Sequence, residues 1–293
     1  MNILIPFLAR CRALATLCLC ALMPGCGPAE LLNRTVDRDG LVVQLDLAYG
    51  PGPRQAMDVW RPAAPAAAAL PVVVFFYGGA WQTGQRGDYP FVAANLARRG
   101  HVVVVPDYRL YPQAGFPGFL EDAAAAVAAA RRLAPGWGGD PARVVLMGHS
   151  AGAHIAAMLA LDPRWLAAAG DSRDRIAGVV GIAGPYDFLP ITGADIRAVF
   201  ATAADLRDTQ PVRFADGRAA PMLLLHGTDD RTVLPRNSTV LAERITASGG
   251  RARAVLYPGI GHIGIVLGFS ELFRSRSPVL DDAAGFVATL APR

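Results

Sequence analysis

Gly148-His149-Ser150-Ala151-Gly152 is the stretch of sequence that decides the fold of this 293-residue chain. It follows a Val- and Leu-rich run that predicts a buried strand, Arg143–Met147, and it leads into a helical pattern, Ala151–Leu161. A serine on a tight strand-to-helix turn needs a glycine two residues to either side, because the close packing leaves no room for side chains. Its hydroxyl then lies at the helix N-terminus, where the dipole favours negative charge. Ser150 is therefore the candidate nucleophile, and the alternative is a chance G-x-S-x-G in an ordinary loop.

The rest of the chain alternates short apolar runs with helical patterns at the spacing of β–α units. The apolar runs are rich in Val, Leu and Ile, which is typical of strands buried on both faces of a parallel sheet. We therefore expect one α/β domain with a mostly parallel central sheet, helices on both faces and an antiparallel edge. The predicted strands are Leu41–Ala48 and Met57–Arg61 at the edge, then Pro71–Tyr77, His101–Pro106, Arg143–Gly148, Ile176–Ala183, Pro221–His226 and Ala252–Tyr257. The predicted helices are Tyr89–Arg99, Gly118–Leu133, Ala151–Leu161, Arg236–Ser248 and Val279–Leu290.

A serine nucleophile needs a base, and chain order selects one of the five histidines. On this kind of strand-to-helix turn, here called the elbow (Gly148–Gly152), the catalytic residues follow along the chain in the order Ser, acid, His, since the acid and the histidine lie on loops after successive later strands. His101 begins a strand, His149 is inside the elbow and His154 is on the following helix, while His226 ends a strand before any acid of its own loop. Only His262 lies beyond, in a Gly-rich loop after the last strand. It is the candidate base, and a solvated loop histidine is the alternative.

The acid that orients the imidazole should lie on the loop after the penultimate strand. That loop supplies two candidates, Asp229 and Asp230. Asp187, in Gly184-Pro185-Tyr186-Asp187, is a more distant third candidate. The residues alone leave these alternatives open.

Half of an oxyanion hole should come from the loop after the third strand, where Phe75-Phe76-Tyr77-Gly78-Gly79-Ala80-Trp81 lies. Successive small residues there let backbone amides point at a substrate oxygen. The amide of Ala151, directly after the nucleophile, is a further donor. An ordinary turn is the alternative interpretation of the glycine pair.

The same segment resembles the H-G-G-x-W motif of the esterase and arylformamidase branch of the α/β-hydrolases, near the hormone-sensitive-lipase group. Two further stretches agree with that resemblance. Asp107–Pro112 is similar to the D-Y-R-L-x-P run of those esterases, and Gly138–Pro141 is similar to the lead-in to their nucleophile strand. The likeness covers the chain from about Val59 to the C-terminus.

This resemblance implies the α/β-hydrolase fold and site residues that match the family motifs. By position, the oxyanion donors are the amides of Gly79, Ala80 and Ala151. The acid loop of the family reads H-G-x-x-D-x-x-V, and counting from His226 this register implies Asp230 as the acid.

One position departs from the family pattern. Tyr77 stands where the family usually has His, so the hydrogen bond made by that imidazole must be replaced or lost. We interpret Asp107, Arg109 and Asp122 as scaffold residues, because a buried Asp–Arg network is more often structural than catalytic.

The N-terminus predicts export. All four cysteines lie within the first 26 residues, so no disulfide framework or thiolate metal cluster is expected beyond them. The apolar stretch Ala13–Met23 follows two arginines and is typical of a signal peptide over residues 1–25, which ends at a small residue before Cys26. That pattern resembles a bacterial lipobox and predicts that Cys26 is lipidated, which would anchor the protein to a membrane. Gly27 at the next position favours the outer membrane. An ordinary cleaved signal and an uncleaved anchor are the alternatives.

We expect residues 26–40 to form a tether and residues 41–293 a hydrolase domain. Residues 184–216, rich in Pro, Asp and Thr, are the candidate cap or binding segment over the sheet. The net charge of +4 is spread along the chain without a basic stripe, which argues against nucleic acid. No cofactor is implied. The sequence predicts a serine esterase that acts on small to medium carboxylic esters through an acyl-enzyme, with an arylformamidase-type amidase or a non-catalytic lipoprotein of the same fold as alternatives.

Overall fold

Eight strands form one sheet in the computed structural model, which describes residues 32–293. Their order across the sheet is β1-β2-β4-β3-β5-β6-β7-β8, and β1, β2 and β4 pair antiparallel while every other neighbouring pair is parallel. The predicted mostly parallel sheet with an antiparallel edge is confirmed. The strands are β1 (Leu41–Ala48), β2 (Ala56–Pro62), β3 (Leu70–Phe76), β4 (Val102–Pro106), β5 (Gly139–His149), β6 (Ile176–Ile182), β7 (Met222–Gly227) and β8 (Ala252–Tyr257).

The inner strands of the sheet are mostly buried. Every residue of β4 and of β6 is buried, which requires cover on both faces of the sheet. The helices of the described chain provide that cover. They are α1 (Pro90–Ala97), α2 (Gly118–Leu133), α3 (Ala151–Leu161), α4 (Pro163–Ala168), α5 (Ala194–Val199), α6 (Arg236–Ala247), α7 (His262–Leu267) and α8 (Val279–Ala288). Short 3₁₀ turns lie at Arg86–Asp88, Ala134–Trp137, Arg173–Arg175, Leu206–Thr209, Pro211–Phe214 and Arg274–Arg276.

Three short helices, α4, α5 and α7, were not predicted. Each has six residues, fewer than two turns, so no hydrophobic periodicity can develop in the sequence. The prediction that His262 lies in a loop was wrong by one residue. The Gly-rich loop ends at Gly261, the N-cap of α7, and His262 is the first helical residue.

The candidate nucleophile, acid and base each follow the carboxyl end of a parallel strand, so all three lie at the same edge of the sheet. Ser150 follows β5, Asp230 follows β7 and His262 follows β8. Cys26 lies outside the described residues. Between residues 32 and 293, none of the helices has the length and apolar character needed to cross a bilayer.

Candidate active site

Ser150 occupies the sharp turn between β5 and α3. Its backbone has φ 55° and ψ −121°, and its amide donates a hydrogen bond to the carbonyl oxygen of Ile182 at 2.8 Å. A Cβ on Gly148 would lie 2.3 Å from the backbone carbonyl of Gly152, and one on Gly152 would lie 2.0 Å from the carbonyl oxygen of Phe76. Both contacts are too short for any real side chain, so the turn requires glycine at both positions.

The structure brings Ser150, His262 and Asp230 into one hydrogen-bonded chain, although more than a hundred residues separate the serine from the histidine. His262 Nε2 is 2.9 Å from Ser150 Oγ, and His262 Nδ1 is 2.7 Å from Asp230 Oδ2. Because the carboxylate accepts, Nδ1 carries the hydrogen and donates, and the bare Nε2 accepts from the serine hydroxyl. This arrangement prepares the serine to lose its proton to the imidazole.

Three hydrogen bonds hold the carboxylate of Asp230, whose side chain is fully buried. Oδ1 accepts from the amides of Thr232 and Val233, each at 2.9 Å. Oδ2 accepts from His262 and also faces Nε2 of His226 at 3.2 Å. These bonds satisfy the acid and fix the direction in which it holds the imidazole.

His226 supports the acid from behind, a role that elimination by chain order missed. Its Nε2 lies 2.8 Å from the carbonyl oxygen of Val233, so Nε2 carries the hydrogen, and its Nδ1 accepts from the hydroxyl of Ser238 at 2.8 Å. Burial lowers the pKa of His226 below its ordinary value, which favours the neutral ring. Its position four residues before Asp230, in the family's H-G-x-x-D pattern, was the available signal.

The two alternative acids lie elsewhere. Asp229 is exposed and accepts from the hydroxyl of Thr228 at 3.0 Å. Asp187 pairs with Arg236 at 3.3 Å. Of the three candidates, the structure places Asp230 against His262.

His149, inside the elbow, holds the backbone of the base. Its Nε2 lies 3.0 Å from the carbonyl oxygen of His262, and the two rings are 4.9 Å apart between centroids. Burial lowers the pKa of His149 to about 3, so the ring is neutral and donates through Nε2. This contact joins the end of β5 directly to the start of α7.

The segment Gly78–Gly84, here called the oxyanion loop, lies against the nucleophile. A Cβ on Gly78 would sit 3.0 Å from Ser150 Cβ. Gly79 has φ 118°, and the amides of Gln82 and Thr83 both donate to its carbonyl oxygen, at 2.9 and 3.0 Å, which closes a tight turn.

Three backbone amides of the elbow and the oxyanion loop have no acceptor within the part of the chain that the structure describes. Within residues 32–293, the amides of Gly79 and Ala80 donate no intramolecular hydrogen bond. The amide of Ala151 is at the first position of α3, where no carbonyl within the helix can accept from it. Ala80 and Ala151 line the same cavity as Ser150.

The phenol of Tyr77 makes two hydrogen bonds at the position where the family usually has His. It donates to Asp107 Oδ1 at 2.9 Å and accepts from Arg54 Nη2 at 2.7 Å. The interpretation of Asp107, Arg109 and Asp122 as scaffold agrees with their contacts: Asp107 binds Arg86 and Tyr77, and Arg109 forms a two-point ion pair with Asp122 at 2.8 Å.

A cavity of about 260 Å³ opens beside Ser150. Among the described residues that line it, none carries a charge, and most are apolar. One wall comes from the segment 184–216. The lining is Ala80, Trp81, Ser150, Ala151, Pro185, Phe188, Pro190, Ile191, Thr192, Gly193, Ile196, Thr232 and Val233.

Two buried amide side chains fix that wall. The carboxamide oxygen of Asn237 accepts from the amides of Tyr186 and Asp187 at 2.9 and 2.8 Å. Gln210 accepts from the amide of Phe188 at 2.8 Å. The cavity is therefore held by side chains that sequence patterns did not single out, because their partners are 22 to 51 residues away.

No group of three or more His, Cys, Asp or Glu side chains is arranged to hold a metal ion in the part of the chain that the structure describes.

The family model BD-FAE matches residues 57–245, which is more than half of the chain. The chain belongs to the BD-FAE family. The matched span includes the elbow, the oxyanion loop and the acid loop, and it ends before His262. It confirms the resemblance to esterases of the α/β-hydrolase fold that the motifs indicated.

Curated relatives of this BD-FAE chain include two named esterases. The isoprenylcysteine alpha-carbonyl methylesterase of Arabidopsis thaliana is 30% identical over 258 residues, which cover 79% of this chain and 60% of the relative. The esterase LipC of Mycobacterium tuberculosis is 32% identical over 233 residues, which cover 73% of this chain and 58% of the relative. The chain thus spans about three fifths of the length of these two relatives.

Solved structures with a similar fold include two esterases. A truncated carbohydrate esterase from gut microbiota has a TM-score of 0.74 at 20% identity and covers 86% of this chain and 97% of its own. Esterase 2 of Thermogutta terrifontis has a TM-score of 0.71 at 23% identity and covers 88% of this chain and 98% of its own. At these identities the likeness establishes the fold of the BD-FAE chain.

Proposed function

We propose that this BD-FAE protein is a serine esterase that hydrolyses neutral carboxylic esters of small to medium size. The observation that carries the proposal is the hydrogen-bonded chain from Ser150 Oγ to His262 to Asp230, at 2.9 and 2.7 Å, beside an uncharged cavity. The names of the curated relatives, a methylesterase and an esterase, support the same reaction class.

In the first half of the reaction, Ser150 Oγ attacks the ester carbonyl carbon while its proton moves to Nε2 of His262. The charge that develops on the carbonyl oxygen is stabilised by hydrogen bonds donated by the amides of Gly79, Ala80 and Ala151. Asp230 holds the imidazole in the tautomer that accepts this proton and stabilises the imidazolium. The ester C–O bond then breaks, and the proton on Nε2 passes to the leaving alkoxide, which departs as the alcohol.

In the second half, water replaces the alcohol. His262 takes a proton from the water as its oxygen attacks the acyl carbon, and the same amides stabilise the second oxyanion. The bond to Ser150 Oγ breaks and the proton returns to the serine. The carboxylic acid leaves and the enzyme is restored.

The cavity argues for a neutral, apolar acyl or alcohol group. Phe188, Ile191, Ile196 and Val233 present hydrocarbon, and no charged side chain among the described residues lines the space to pair with a substrate charge. Its volume of about 260 Å³ is below the range of roughly 300–1,000 Å³ that holds drug-sized ligands. A zwitterionic amide such as N-formylkynurenine would leave its charges unpaired here.

A series of p-nitrophenyl esters from acetate upward tests the proposal, with N-formylkynurenine as the amide comparison and Ser150→Ala as the control. We expect kcat/KM to hold or rise over the short acyl chains, to fall once the chain outgrows the cavity, and to be lower for the amide. Absence of ester hydrolysis by the folded protein, or equal hydrolysis by Ser150→Ala, would refute it.

A further inference from the structure

The oxyanion loop returns to its own starting point. A Cβ on Gly84, at the end of the loop, would lie 2.9 Å from the ring of Tyr77, the residue directly before its start. Gly84 has φ 101°, and no side chain fits at that contact. The two ends of the loop therefore meet at the Tyr77 side chain.

Arg54 binds both ends at this meeting point. Its Nη2 donates to the hydroxyl of Tyr77 at 2.7 Å and to the carbonyl oxygen of Gly84 at 2.8 Å, and its Nε donates to the carbonyl oxygen of Tyr108 at 2.9 Å. Arg54 lies between β1 and β2, outside the residues 57–245 that match the family model. One guanidinium thus joins the Tyr77 side chain to two backbone carbonyls, those of Gly84 and Tyr108.

Tyr77 completes the arrangement from inside the sheet. Its ring is fully buried and stacks on Tyr108 with centroids 4.7 Å apart, and its hydroxyl donates to Asp107 Oδ1 at 2.9 Å. Asp107 Oδ1 also accepts from the amide of Arg86 at 2.8 Å, just beyond the loop. Burial raises the pKa of Tyr77, so the phenol is a neutral donor.

We propose that Arg54 and Tyr77 are positioning residues that hold the oxyanion loop, and so the amides of Gly79 and Ala80, in the geometry that the transition state needs. The inference rests on the proposed esterase function. Neither side chain lines the cavity beside Ser150. Their loss should therefore weaken binding of the developing oxyanion and leave ground-state binding of the ester nearly unchanged.

The test compares Arg54→Ala, Tyr77→Phe and the double variant with the wild type. Because removal of a single oxyanion donor costs about 10²–10³ in kcat, we expect displaced donors in Arg54→Ala to lower kcat by roughly tenfold to a hundredfold. We expect KM to change by less than about threefold, and the affinity for a trifluoromethyl ketone, which forms an oxyanion on Ser150, to fall as kcat does. Tyr77→Phe, which keeps the ring and its stacking, should show a smaller loss of the same kind.

The double variant shows whether Arg54 and Tyr77 act as one unit or affect kcat independently. If Arg54 and Tyr77 act together, the double variant loses little more than Arg54→Ala alone. Arg61→Ala, a control at the far end of β2 that lines a different cavity, should keep wild-type kcat and ketone affinity.

Three outcomes would overturn the inference: unchanged kcat and ketone affinity in Arg54→Ala, fully additive losses in the double variant, or a rise in KM that accounts for the whole effect. Failure of the esterase proposal itself would look different. It would appear as a wild-type protein without Ser150-dependent ester hydrolysis, whatever the state of Arg54.

Discussion

At Ser150 the backbone takes φ 55°, a conformation that residues with side chains rarely adopt and that costs on the order of 1–3 kcal/mol. The neighbouring residues stabilise this backbone conformation. Gly148 and Gly152 remove the clashes, and the carbonyl of Ile182 accepts from the serine amide. In this conformation Ser150 lies at the start of α3, beside the amide of Ala151, and its Oγ points at His262.

The pH dependence of kcat/KM should follow a single ionisation. Only neutral His262 accepts the serine proton, so kcat/KM should rise with pH along a one-proton limb and then plateau. Burial lowers the pKa of each of the other four histidines, to about 3 for His149 and about 4 for His154, and each stays uncharged as pH rises through neutrality. A kcat/KM that does not depend on pH, or a limb with a slope of two protons, would contradict this assignment.

Asp230→Asn should lower kcat on the order of 10⁴-fold, because an amide in place of the carboxylate favours the wrong tautomer of His262. Asp229→Asn is the matched control, since it changes the adjacent, exposed residue of the same loop and should leave kcat near wild type. Steady-state kinetics on p-nitrophenyl acetate measures both. A larger loss of kcat in Asp229→Asn than in Asp230→Asn would show that Asp230 is not the acid.

The residues differ in how far sequence could identify them. Ser150 and His262 follow from a local motif and from chain order, and the choice of Asp230 needed the family register. His149 and Arg54 were missed because each acts on a residue 23 or more positions away, through a contact that no local pattern encodes. The hydrogen-bond partners of Tyr77 could not be predicted from the sequence for the same reason. His226 was missed because chain order eliminated it as the base, although its place in the H-G-x-x-D pattern was available.

At the scale of elements, the strands that carry the site were predicted within a few residues. Buried parallel strands have continuous runs of Val and Leu, so the sequence predicted β3 and β7 at nearly their observed bounds. Helices α5 and α7 were missed because six residues cannot show a helical period. Both border the site, α5 in the wall of the cavity and α7 at the base.

The surroundings of two helical glycines predict opposite effects of their replacement by alanine. Gly152→Ala would place a Cβ 2.0 Å from the carbonyl oxygen of Phe76 and should destabilise the protein by at least the roughly 1–3 kcal/mol of an overpacked core, with loss of activity. Gly285→Ala, on the exposed face of α8 with no atom within 4 Å, should stabilise it by about 0.5–1 kcal/mol. Thermal and urea unfolding measure both. A neutral Gly152→Ala would contradict the packing of the elbow.

At the scale of the whole molecule, one sheet collects side chains from loops that follow β5, β7 and β8. The segment 184–216 covers one side of the cavity, and Asn237 and Gln210 hold its first residues. We propose that this segment sets acyl-chain preference, as expected of a binding segment. Its fold was not predictable, because its first residues are held by Asn237, which lies outside the segment, and by Gln210, which lies 22 residues further along it.

Export and lipidation remain predictions from the N-terminal sequence. We propose that Cys26 becomes the lipidated N-terminus, because attached acyl chains contribute roughly 0.8 kcal/mol per buried CH₂ and several chains hold a domain at a bilayer. Cys26→Ser should leave the hydrolase domain folded and active while it blocks lipid attachment. Mass spectrometry of the mature N-terminus decides: an unmodified terminus beyond Cys26, or an intact Met1, would contradict the proposal.

The central claim, that Ser150 is a nucleophile activated by His262, is tested most directly by covalent labelling with a fluorophosphonate. Peptide mapping after labelling of the native protein should give a single adduct, on Ser150. The adduct should be absent in Ser150→Ala and formed far more slowly in His262→Ala, since the base no longer removes the serine proton. A folded wild-type protein that stays unlabelled, or an adduct that persists in Ser150→Ala, would contradict the account.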